Sequence, residues 1–204
     1  MVKETNLLIE DNGIKSTKEQ DKEWEELERN IKLGDENLLP KFDDFIEKGV
    51  RSEGYPTRKG TILVTKELKS RKSLTGHAGI IYNSTTTIEC FPKEASPDGI
   101  NGVYTYSNDW NIRYGKNTYA VNVRGTTQEQ DDKSADYAYR RYEEGRPYNW
   151  VFTDIENGSK FYCSQLCYKA FMVMNSIDIN NNGGIVYPID LINDDDTYII
   201  WSNQ

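Results

Sequence analysis

The chain changes its hydrophobic period near residue 50. Between Ser16 and that point apolar positions recur every three or four residues. Ser16-Thr17-Lys18-Glu19 has the form of a capping box, and EQDKEWEELERNIKLG behind it predicts a helix ending near Gly34, with Trp24, Leu27 and Ile31 on one stripe. PKFDDFIEKGV predicts a second short helix that starts at Pro40 and stops at Gly49. Residues 1–15 are polar and aperiodic and predict a mobile leader. From Arg51 onward the runs are strand-sized. Gly60–Thr65 predicts a buried strand followed by a Lys/Ser-rich loop, and TGHAGIIY and TTTIECF, parted by Asn83-Ser84, predict a hairpin. Further strands are expected at Gly102-Val-Tyr-Thr-Tyr, Tyr119-Ala-Val-Asn-Val and the closing TYIIW. Between them, a capping box at Thr126–Glu129 predicts a helix through Tyr137, Tyr139 and Tyr142 to Gly145, and FYCSQLCYKAFMVM predicts a strongly apolar helix. The expected class is α+β, an antiparallel sheet flanked by helices. Two regions are expected: a helical N-terminal extension over 1–50 and a domain over 51–204.

Composition narrows the function classes. The 204 residues carry a net charge of −8, which disfavours a nucleic-acid partner because a phosphate backbone would be repelled over most of the surface. No run reaches the ~18–20 apolar residues of a membrane helix, so no transmembrane segment is expected. The first residues lack the basic-then-apolar layout of a secretory signal. Taken as complete, the chain would be cytoplasmic; with an upstream signal removed, it would be secreted or in the cell envelope.

The candidate chemistry rests on few residues. Cys90, Cys163 and Cys167 are the only cysteines and cannot all pair with one another. With a single histidine, a zinc site would have to borrow carboxylates, and no metal or cofactor is expected. Asp178-Ile-Asn-Asn-Asn-Gly183 opens like a calcium loop, but the twelfth position holds Ile189 where an acid is needed, so it is read as a turn. Cys163 falls at the start of the apolar helix, where unpaired N–H groups and the dipole favour a thiolate. The alternative is a small core residue. Cys167, one turn later, reads as core. His77 is the one imidazole available as a base, set between Gly76 and Gly79; a structural histidine is the other reading. Glu89 would orient it if the hairpin loop holds an odd number of residues, Tyr82 to Ser84, which sets His77 opposite Glu89. A two-residue Asn-Ser turn would pair His77 with Cys90 and turn Glu89 away. The odd loop is favoured because it separates Glu89 from Ile88 and Cys90.

Gly145-Arg-Pro-Tyr-Asn-Trp150, Tyr162-Cys-Ser-Gln165 and Gly76-His-Ala-Gly-Ile80 resemble segments of the NlpC-type papain-like amidases. Here the histidine half comes first. That order resembles the circularly permuted branch, the YiiX/YaeF-type bacterial hydrolases and relatives of lecithin–retinol acyltransferase, over roughly residues 55–201. The resemblance implies a permuted papain-like fold with Cys163 as nucleophile, His77 as base and Glu89 as the residue orienting the imidazole. Glu89 occupies a position that varies in such proteins, and Thr61 stands where they usually carry an acid. It implies a thiol-dependent hydrolase, a cysteine peptidase or amidase cleaving an amide bond in a small or cell-wall-type peptide. Tyr55, Tyr148, Trp150 and Tyr162 are candidate walls of its cleft, and the acidic surface suits an amine-bearing peptide. The alternatives are an acyltransferase or thioesterase acting on lipid-type acyl groups and, in another class, a non-catalytic peptide-binding module.

Overall fold

The structure is a computed structural model that describes residues 9–10, 13–14, 54–66, 76–181 and 183–203. The two helices expected before residue 50 and the loop expected after Thr65 lie outside the described residues, apart from Lys66. A two-residue ladder pairs Ile9–Glu10 with Gly13–Ile14.

Six strands form one antiparallel sheet: β1 (Ile62–Thr65), β2 (His77–Asn83), β3 (Thr86–Phe91), β4 (Gly102–Ser107), β5 (Thr118–Val123) and β6 (Thr197–Asn203). Their spatial order is β4-β3-β2-β1-β5-β6. Four helices complete the described chain: α1 (Trp110–Arg113), α2 (Gln128–Glu143), α3 (Cys163–Asn175) and α4 (Asp190–Asn193). None is long and apolar enough to cross a membrane among the described residues. The class is α+β.

Both faces of the sheet are covered, which is why β1 reads as an unbroken apolar run instead of an alternating one. Ile62, Val64, Ile80, Ile88 and Val121 meet α2 and α3 in the larger core, while Leu63, Ile81 and Ala120 on the other face pack under Trp110 and Tyr114 of the α1 segment. Helix α3 is buried from Ser164 through Phe171, so apolar residues all round it mark a central helix. Helix α2 buries Asp131, Ser134, Ala135 and Ala138 at helical spacing, and its Tyr139 stacks on Tyr82 of the hairpin at 4.3 Å.

Two local expectations shift. The cap of α2 is Thr127 with Gln130, one residue later than the Thr126/Glu129 reading. The Thr126 hydroxyl is spent on the Val123 carbonyl at 2.9 Å, and Glu129 turns outward to Lys133. In the hairpin the connecting turn is the two residues Ser84-Thr85, not an odd loop, yet a bulge between Ile81 and Asn83 restores the parity that an odd loop would have set. Glu89 therefore sits opposite Gly79, and not opposite His77. Glu89 and His77 still share a face as diagonal neighbours. In the stretch that opens like a calcium loop, Asp178 caps its own turn by accepting from the Asn180 N–H at 2.9 Å.

Candidate active site

Cys163 is the first residue of α3, at the end where backbone N–H groups have no intrahelical acceptor. The preceding loop is sewn to this helix start by Gln165. Its Oε1 accepts from the Tyr162 N–H and from Asn149 Nδ2, both at 3.2 Å, and its Nε2 donates to the carbonyls of Asp154 (3.0 Å) and Ile155 (3.1 Å). Asn149 is tied in turn by its N–H to the Phe161 carbonyl at 2.8 Å. Buried polar groups satisfied this fully hold a loop in one geometry, and here they fix the entry to the helix.

His77 opens β2. Gly76 before it has φ +87°, and a Cβ there would lie 2.1 Å from the Thr65 carbonyl oxygen, so only glycine lets the chain enter the strand at this place. The imidazole is 1 % exposed and lies nearly parallel to Phe91 (centroids 4.0 Å) and to Trp110 (5.4 Å). Its Nε2 is 2.9 Å from Glu89 Oε2. An ionised carboxylate can only accept, so Nε2 carries a proton and Nδ1 is the nitrogen that remains to interact with Cys163, whose thiol is close enough to raise the imidazole's pKa.

Glu89 is fully buried and surrounded by donors. Oε1 accepts from Thr87 Oγ1 (2.6 Å), Trp110 Nε1 (2.9 Å) and Arg113 Nη2 (2.7 Å); Oε2 accepts from His77 and from Arg113 Nη1 (3.2 Å). Burial pushes its pKa up, but the His77 hydrogen bond and the Arg113 charge outweigh it and bring the carboxyl down to about 2. The side chain crosses over Gly79 to reach the imidazole. A Cβ at Gly79 would lie 2.8 Å from Glu89 Cγ and 3.0 Å from Trp110 Cζ2. Gly79→Ala is therefore expected to cost about 1–3 kcal/mol in urea unfolding, the range for overpacking, and to weaken Cys163 alkylation at pH 6 by displacing Glu89. Wild-type stability and reactivity in that variant would remove the need for glycine here.

The three thiols differ sharply. Burial raises the Cys163 pKa, but His77's hydrogen bond and charge, with the N–H groups of Ala78 and Ser164, bring it below the ordinary thiol range. Burial lowers the His77 pKa, while Cys163 and Glu89 raise it, with a net upward shift. These opposite directions are the ones that favour a thiolate beside an imidazolium. Cys90 and Cys167 are pushed well up by burial, and the Cys90 thiol donates to the Phe161 carbonyl at 2.9 Å. Only Cys163 keeps partial exposure.

The four aromatic candidates divide. Tyr148 and Trp150 are half-buried, edge-to-face at 5.0 Å, on the loop running beside Phe161. Tyr162 is 2 % exposed, and its hydroxyl joins the Phe152 carbonyl to the Val186 N–H, which makes it core and not a cleft surface. Tyr55 stands behind the imidazole's ring partner, its hydroxyl donating to Asn108 Oδ1 (2.8 Å) and accepting from the Trp110 N–H (3.0 Å). Sequence reasoning missed Trp110, Arg113 and Gln165. The one signal for Arg113 was Asp109 four residues before it, a spacing that predicts a one-turn ion pair, seen at 2.9 Å.

No protein-family model matches the chain. It is 30% identical over 121 residues, 57% of its length, to the uncharacterized protein YycO of Bacillus subtilis strain 168; the match spans 44% of that protein, so the chain covers less than half of its relative. Its fold is similar to the crystal structure of the metalloprotein YiiX from Escherichia coli O157:H7, with a TM-score of 0.54 at 15% identity, covering 72% of this chain and 97% of that one. That neighbour is named a metalloprotein; among the described residues here no three His, Cys, Asp or Glu side chains are grouped to hold an ion, and both Glu89 oxygens are engaged by donors, Arg113 among them. The chain has a YiiX-like α+β fold built on a six-stranded antiparallel sheet.

Proposed function

We propose that this protein is a cysteine hydrolase with a permuted papain-like, NlpC-like catalytic domain, cleaving an amide bond in a small or cell-wall-type peptide. One observation carries the reading. Of three thiols, the one at a helix N-terminus is also the one that is partly exposed and set against an imidazole held by a buried carboxylate. The chain order, histidine strand before cysteine helix, supports the permutation.

In this reading the Cys163 thiolate adds to the substrate carbonyl carbon. The resulting oxyanion is met by the Cys163 backbone N–H, a donor with no acceptor inside its own helix. The amide C–N bond then breaks as His77 gives its Nδ1 proton to the leaving amine, leaving a thioester on Cys163. A water molecule, its proton taken by His77, attacks the thioester; the acid leaves and the thiolate–imidazolium pair is restored. Tyr148 and Trp150 line the approach.

Iodoacetamide alkylation of Cys163, followed by mass spectrometry from pH 5 to 9, tests the pair. Wild-type protein is expected to react well below pH 8. In His77→Ala the profile should move towards that of an ordinary thiol, pKa about 8.5, which lowers the rate at pH 6 by about 100-fold. Cys90 and Cys167 should stay unlabelled while the protein is folded. An inert Cys163, or one indifferent to His77, would remove the nucleophile from the mechanism.

A further inference from the structure

The buried carboxylate of Glu89 poses an energetic problem that the mechanism leaves unsolved. A lone carboxylate at zero exposure takes up a proton sooner than stay charged, and a protonated Glu89 would no longer favour the imidazolium. His77 is an incomplete answer, since its own positive charge depends in part on Glu89 being negative.

Arg113 is built to break that circle. Both terminal nitrogens of its guanidinium fork onto Glu89, Nη2 to Oε1 at 2.7 Å and Nη1 to Oε2 at 3.2 Å. The fork is held from behind: Nη2 also donates to the Ser107 carbonyl (2.8 Å) and Nε to Asp109 Oδ1 (2.9 Å). The rings of Tyr106 and Tyr114 take the cation at 5.6 and 5.1 Å. Its outer side faces a polar cavity of about 400 Å³, whose lining includes Thr85, Asp98, Thr105 and Ser107. The cation thus keeps a wet face while its fork enters the protein, which limits the cost of burying the pair. Arginine stays charged at any working pH, and its planar fork matches a carboxylate in a way an ammonium does not.

We propose that Arg113 is a positioning residue for the Cys163–His77–Glu89 array: its forked contact keeps Glu89 ionised as acid is added, and so sets the lower pH limit of the reactive thiolate. The inference rests on the hydrolase reading above.

The other groups facing this carboxylate do not compete for that role. Burial pushes Tyr55 and Tyr106 up to about 12 and Tyr114 higher still, so all three are neutral across the range that matters. Asp109 and Asp98 are acids themselves and cannot hold a neighbouring carboxyl ionised. The remaining partners, Thr87 and Trp110, are uncharged donors.

The test is the acid limb of the Cys163 alkylation profile in Arg113→Gln and Arg113→Lys. In Arg113→Gln the Glu89 carboxyl should rise by about 1–3 units, the usual influence of an adjacent arginine, and the acid midpoint of the thiol should move up with it, the plateau above pH 8 staying within about threefold of wild type. Arg113→Lys, which restores the charge without the fork, should recover part of that shift. A folded Arg113→Gln with the wild-type limb would reduce Arg113 to a structural anchor and overturn the proposal. A wild-type thiol that ignores His77 would instead defeat the hydrolase reading, so the two failures are distinct. If Arg113→Gln does not fold, the ¹³C carboxyl signal of Glu89 in wild-type protein decides. It should remain ionised at pH 3.5, and titration in the ordinary range of about 4–5 would overturn the proposal.

Discussion

Glu89→Leu is expected to lower the unfolding free energy at pH 6 by about 3–5 kcal/mol, the range for breaking a buried ion pair by removing one partner. Glu89 is the common acceptor for His77, Arg113, Trp110 and Thr87. Leucine fills similar space and returns none of those hydrogen bonds. The value should fall nearer the lower figure, because Arg113 keeps Asp109 and the Ser107 carbonyl and is itself 21 % exposed, so its charge is not stranded. The indole N–H of Trp110 and the Nε2–H of His77 lose the acceptor they use in the folded protein. Urea unfolding of wild type and variant, followed by tryptophan fluorescence, gives the difference directly. A loss below about 1 kcal/mol would mean that Glu89 is there for the chemistry alone, with its burial cost offsetting its contacts.

The same residue shows what a sequence conveys about such a site. Strand parity is carried by alternation, so it was legible that Glu89 belongs with His77 and away from Ile88 and Cys90. The route to that parity was not. A bulge at Tyr82 and a two-residue turn yield the same face as an odd loop, and nothing in YNSTT separates the two. Cys163 and the helix it opens were legible because a polar loop, a cysteine and an apolar run follow one another along the chain. The capping box of α2 was displaced by one residue because Thr126 and Thr127 both offer a hydroxyl, and the end of β5 claims the first. Arg113 was not legible as a partner of Glu89: 24 residues separate them, and the pairing exists only once β3, β4 and the turn into α1 are folded together. Tyr162 and Tyr55 could not be told from Tyr148 and Trp150 by composition. The Tyr162 hydroxyl lies between the Phe152 carbonyl and the Val186 N–H, and that of Tyr55 between Asn108 and the Trp110 N–H, contacts that exist only in the fold.

Acid should expose Glu89's contribution as a slope. The carboxyl's ordinary value of 4.5 falls to about 2 in the folded protein, so this group stabilises the fold fully above pH 4.5 and loses that contribution as the pH drops from 4.5 towards 2. The difference corresponds to about 3 kcal/mol. Other carboxylates also titrate in that window, and Glu89→Gln separates them. Glutamine is a neutral stand-in for the protonated acid, and every other acid is common to both proteins. The stability gap between wild type and Glu89→Gln should therefore be about 3 kcal/mol at pH 6 and close steadily below pH 4.5. Urea midpoints at half-unit steps from pH 6 to 3 measure that gap. If it stays constant with pH, hydrogen-bond geometry and not charge holds the array together, and the Arg113 fork would then be needed for its shape alone. If it closes, the protein's acid sensitivity and the acid limit of its thiolate arise at the same carboxylate. One substitution should then move both, and stability and thiol reactivity measured on the same sample should fall together.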